Sequence, residues 1–124
     1  MKMTNMEIYN VAKGLMENFQ DNNQYLPIKI NFFIQRNKKT LLELAQVIDD
    51  SRVEIIKHYG TANEEDGTYI IPTESIPKAN KEIEDLFNLE QEVSIAKINI
   101  ESFPDDISLT TGQMEALLFM IEES

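Results

Sequence analysis

Residues 28–59 read IKINFFIQRNKKTLLELAQVIDDSRVEIIKHY, between Pro27 and Gly60. The start of this stretch permits two readings. Leu26, Ile28, Ile30 and Phe32 alternate as a half-buried strand over 26–32 would. Ile30, Phe33/Ile34, Leu41, Leu44/Ala45, Ile48, Ile55/Ile56 and Tyr59 keep helical phase over a far longer window. Proline suits the first turn of a helix, where its missing N–H would be unpaired anyway, and Gly60 supplies a C-terminal stop. A helix over about 28–59 is therefore expected. It would run roughly 48 Å, longer than a small globule is wide. It should either break near Asn37 or Asp49-Asp50-Ser51, or project and pack on another chain. The face of Phe33, Leu41, Leu44 and Ile48 is then the candidate protein interface, and a homodimer or a larger partner is expected.

Upstream, Thr4 and Glu7 have the spacing of a capping box. Ile8, Val11, Ala12, Leu15, Met16 and Phe19 follow at helical spacing. A first helix from about Thr4 to Phe19 is expected, ended by the polar run Gln20–Gln24. Downstream, Asn63–Gly67 reads as a turn and Thr68–Pro72 as a short strand stopped by proline. A third helix is expected from about Pro77 to Gln91, then a strand over 93–100. The simplest pairing joins 68–72 with 93–100 in a small antiparallel sheet. The last helix opens with Thr110 as N-cap and Gln113 three residues on, with Leu109 and Met114 at the positions of a hydrophobic staple. The expected fold is a single α+β domain over 1–124, helix-dominated, with four helical segments.

Hydrophobic residues at 42% and charged residues at 27% suit a globular chain rather than a disordered one. With no cysteine, thiolate metal sites, iron–sulfur clusters, disulfide scaffolds and cysteine nucleophiles are excluded. No apolar run is long enough to span a membrane. Met1–Asn5 leads into an amphipathic stretch rather than a signal core, so production in the cytoplasm is expected.

The net charge of −11 is unevenly placed. Residues 1–59 sum to +1 and residues 60–124 to −12. Such a second half disfavours direct nucleic-acid binding. Glu64, Glu65, Asp66, Glu82, Asp85, Glu90 and Glu92 could form a face that mimics backbone phosphates, if turn and helix lie side by side. Lys29, Arg36, Lys38 and Arg52 are the candidate anion contacts, without aromatic interleaving to strengthen them. Asn63–Gly67 lacks the alternating ligands and closing glutamate of a calcium loop. His58, near a helix C-terminus, is explained by the macrodipole. No serine sits in Gly-x-Ser-x-Gly, and the four glycines are spread singly. No catalytic, cofactor-binding or metal-binding residue is therefore assigned. Carboxylate-assisted metal chemistry at Asp85 or Asp105-Asp106 is the one enzymatic route left open.

Together "TNMEIYNVAKGL", "LPIKINFFIQRNKKTL", "IDDSRVEIIKHYG", "DGTYIIP", "EIEDLFNLEQEVSIAKINIESF" and "LTTGQMEALLFMIEE" span nearly the whole chain. In that order they resemble a family of small acidic proteins of unknown function from tailed phages and prophages of Gram-positive bacteria. Arg36-Asn37, Arg52 through Tyr59-Gly60, Glu92-Val93 and the closing helix carry the resemblance most specifically. It implies phage origin, production in the host cytoplasm and often a gene near the tail and lysis genes. It implies no activity and transfers no catalytic residue. The expected function is that of a non-enzymatic accessory or assembly factor acting through protein–protein contacts. The partner would be a phage structural protein or a host defence protein. The alternatives are an acidic inhibitor of a host defence or nucleic-acid enzyme and, third, a sponge for a signalling nucleotide.

Overall fold

The Thr4 hydroxyl accepts from the Glu7 N–H at 3.1 Å, and a Glu7 carboxylate oxygen accepts from the Thr4 N–H at 3.2 Å. This reciprocal pair satisfies two donors that the first turn of a helix leaves over. It opens α1, Asn5–Asn18, as the sequence predicts. The computed structural model of the protein describes residues 1–19 and 26–123, so the expected break at Gln20–Gln24 lies outside the described residues.

The long stretch is one unbroken helix, α2, Ile28–Tyr59. Neither expected break is present. Gly60 closes α2 as foreseen, in extended rather than left-handed backbone (φ −106°). Its smallness matters because a Cβ there would meet the Ile56 carbonyl oxygen at 2.8 Å. The described chain continues as β2 (Thr61–Ala62), β3 (Tyr69–Ile70), α3 (Ile76–Asn88) and β4 (Glu90–Glu92). It ends in β5 (Ile98–Asn99), α4 (Thr111–Leu117), a 3-10 turn over Leu118–Met120 and β6 (Ile121–Glu122). A further strand, β1, Lys2–Thr4, precedes α1. The result is a helix-dominated α+β fold with four α-helices among the described residues. None of these helices is long and apolar enough to cross a membrane.

The sheet pairing differs from the expected one. β3 pairs antiparallel with β2 across the Asn63–Gly67 turn, not with the later strand. The cause is local: Asn63 donates to the Thr68 carbonyl at 2.7 Å, Gly67 donates to Asn63, and Gly67 takes φ +73°, which glycine adopts without strain. Of 93–100, only β5 is strand, and it runs parallel to β6. The segment before it is claimed by a side chain. Asn37, fully buried on α2, accepts from the Ala96 N–H at 2.8 Å and donates to the Ala96 carbonyl at 2.7 Å. Both backbone groups that a sheet partner would use are thereby satisfied. α3 stops at Asn88, short of the expected Gln91, because Glu90–Glu92 pair antiparallel with β1.

A helix of roughly 48 Å is covered by three successive parts of its own chain. Near its start, Asn37 holds Ala96 and donates to the Met120 sulfur at 3.4 Å. Across its middle lies α1, with Tyr9, Ala12 and Met16 facing Leu42, Ala45 and Gln46. At its end the Glu82 carboxylate on α3 lies close enough to the Tyr59 hydroxyl to hold its ionisation above the usual range. Ile8, Leu15, Ile30, Ile34, Leu41 and Leu117 are fully buried in the shared core.

Two further buried amides fasten the helices. Asn5 donates to the Leu86 carbonyl and accepts from Gln91, each at 2.8 Å. Gln113 donates to the Asn18 carbonyl at 3.0 Å while accepting from the Thr110 N–H at 3.0 Å. Where α1 meets α4, a Cβ added at Gly14 would rest on Ala116 Cβ at 3.7 Å, an ordinary contact. Gly14→Ala should therefore raise the unfolding free energy by about 0.5–1 kcal/mol, the usual helical preference for alanine. Urea melts of the two proteins check this, and a destabilised variant would show the α1–α4 contact to be tighter.

Candidate functional site

The capping box at Thr110 and Gln113 is present, and it fixes where α4 begins. Leu109 and Met114, at staple positions, both line a surface groove; Leu109 is also half-buried against the core, whereas Met114 is exposed. After Leu117 the helix tightens into the 3-10 turn, and successive side chains point about 100° apart around the axis. Leu117 is fully buried, whereas Leu118 is 66% exposed. Met114 and Leu118, one α-helical turn apart, form one wall. Ile100, Phe103 and Ile107 from the segment after β5 line it too, and Ile121 and Glu123 complete the lining. The groove encloses about 370 Å³. That falls within the range of ligand and side-chain pockets. Ile100 and Met114 are about half exposed, so the apolar surface stays open to water.

Two other depressions differ in chemistry. One, of about 350 Å³, lies between α1 and α2 and mixes apolar side chains with Lys13, Glu17, Gln46 and Asp49. The other, of about 300 Å³, lies between α1 and α4 around Gly14, Asn18, Gly112 and Phe119. Gly112 permits this approach, since a Cβ there would come within 2.5 Å of Asn18 Oδ1.

The expected interface on α2 is core instead. Leu41 and Ile48 are buried by the chain's own packing and Phe33 and Leu44 are half-buried against it. Because α1, α3 and the 93–120 region tile α2 along its length, its stripe needs no second chain.

The seven candidate decoy acids are distributed over the β2–β3 turn, α3 and β4. Glu64 and Glu65 are exposed, and the Asp66 carboxylate accepts from the Thr68 hydroxyl at 2.7 Å and its N–H at 3.1 Å, which hold its ionisation below the usual carboxylate range. Asp85 is paired with Lys81 at 2.8 Å, Glu90 with Lys2 at 3.4 Å and Glu92 with the Met1 amino group at 3.5 Å. Glu82 is engaged with Tyr59. Several of the seven thus have local partners, so they do not form an uncompensated row.

The candidate anion contacts do not converge. Lys29 and Arg36 are exposed, Lys38 donates to the Phe19 carbonyl at 3.3 Å, and Arg52 makes a two-pronged pair with Asp49 at 2.9 and 3.1 Å. Arg52 stands about 24 Å along the helix from Arg36. His58 is exposed and meets Tyr59 edge-on at 4.8 Å between ring centroids. Asp105 and Asp106 lie on an exposed turn beside the apolar groove. Among the described residues, no three His, Asp or Glu side chains are grouped to hold a metal ion.

The groove has no motif of its own in the sequence, because its lining is drawn from the end of the expected strand, the connection after it and the last helix. The clue available was surplus: Ile100, Phe103, Ile107, Leu109, Met114 and Leu118 crowd a segment too short to bury all of them. No family model, curated protein or solved structure matches the chain.

Proposed function

We propose that this protein is a non-enzymatic binding protein, an accessory or assembly factor of a phage or prophage, that docks another protein in the groove of residues 100–123. The open apolar wall of Met114 and Leu118 carries the reading. Exposed apolar patches framed by polar residues are characteristic of protein-binding surfaces. The phage setting rests on the sequence resemblance. The inhibitor reading draws support from the exposed Glu64-Glu65-Asp66 turn, but local pairing of Asp85, Glu90 and Glu92 weakens it. The sponge reading is weaker still, with its four cations dispersed.

Pull-down of tagged protein from infected cells tests the proposal. Virion components should co-purify with the wild type and with Glu82→Lys, and be lost with Leu118→Glu. Leu118 is exposed, and substitutions at such positions usually change stability by less than about 0.5 kcal/mol. Recovery of the same partners by Leu118→Glu, with loss on Glu82→Lys, would move the binding site to the acidic face.

A further inference from the structure

We infer that the groove takes a cationic amphipathic helix of a partner protein, with its apolar face on Phe103, Met114 and Leu118. This rests on the docking reading and adds the partner's chemistry. The segment that builds the groove, residues 98–123, carries six acidic residues and no Lys, Arg or His. Glu123 stands in the lining, and Asp105, Asp106 and Glu122 lie within two residues of lining positions. Among the described residues none of these four carboxylates has a cation within ion-pair distance, and the ion pairs that are present lie on α2, on α3 and at the β1–β4 pairing. An apolar trough bordered on its own segment by unneutralised acids repels an acidic helix and attracts a basic one.

The shape selects a helix over a strand. β5 and β6 have two residues each, too short an edge to template an added strand. Part of the lining is a helix surface presenting Met114 and Leu118 at i and i+4, the spacing that receives the anchors of a second helix. Met114 adds an adaptable thioether at the mouth. A second copy of this chain fits less well because the net charge of −11 sets two copies against each other.

The test uses two designed helical peptides of about 15 residues, or four turns. They share one stripe of leucines; one has Lys/Arg on its polar face and the other Glu. Fluorescence anisotropy with the full chain should show the cationic peptide bound at least about tenfold more tightly. Its binding should weaken as salt is raised, because screening shortens the reach of the rim, and it should be lost with Leu118→Glu. Equal binding of both peptides overturns the cationic requirement and leaves groove docking intact. If neither binds while Leu118→Glu still loses its partner in the pull-down, the helical occupant is overturned and the docking reading survives. If neither binds and the partner is retained, both fall. Groove-dependent self-association seen by sedimentation would overturn the inference in favour of a second copy.

Discussion

Asn37→Ala is expected to lower the unfolding free energy by about 3 kcal/mol. The side chain is fully buried and holds both backbone groups of Ala96, at 2.8 and 2.7 Å. Each buried polar group left without a partner costs about 1–3 kcal/mol, and Ala96 is half-buried, so the lower part of that range applies to each. In a chain of this length the loss corresponds to a melting temperature roughly 10 °C lower. Asn37→Leu fills a similar volume but leaves the same groups unpaired, so it should lose nearly as much. A leucine variant as stable as the wild type would show that Asn37 acts by volume alone.

Leu41→Ala carries the second large effect. Leu41 is completely inaccessible in the isolated chain, and truncating such a leucine costs about 2–5 kcal/mol through lost burial and the residual cavity. The unfolding midpoint of both proteins should be independent of protein concentration, since the stripe is covered within one chain. Were this face an interface between copies, stability would rise with concentration through mass action, and Leu41→Ala would abolish that dependence.

Local chemistry made much of the fold legible in the sequence. Thr4 with Glu7 and Thr110 with Gln113 announce two helix starts because both cap partners lie within one turn. Pro27, Gly60 and a sustained apolar phase delimit α2. The Asn63–Gly67 turn is equally local. What escaped depends on distant partners. Val93–Ile100 resembles a strand, but Asn37 removes Ala96 from any ladder. The strand at Lys2–Thr4 is visible only through its pairing with Glu90–Glu92. The long stripe suggested an external partner because the sequence does not show that α1, α3 and the 93–120 region share its length. Leu118 falls with Met114 on the face opposite Gln113, Leu117 and Met120, and only the packing of that second face shows which of the two is left to solvent. The candidate site was therefore less legible than the fold: its walls come from two segments, and its apolar residues look like ordinary core.

Groove docking is tested most directly by hydrogen–deuterium exchange on the tagged protein carrying its co-purified partner, compared with the protein alone. In the free chain, residues 103–110 have no regular helix or strand, so many of their amides should exchange early. Slowed exchange concentrated within 100–123 on partner binding is the predicted result. Protection confined to 61–92, with 100–123 unchanged, would contradict docking in the groove and place the partner on the acidic face.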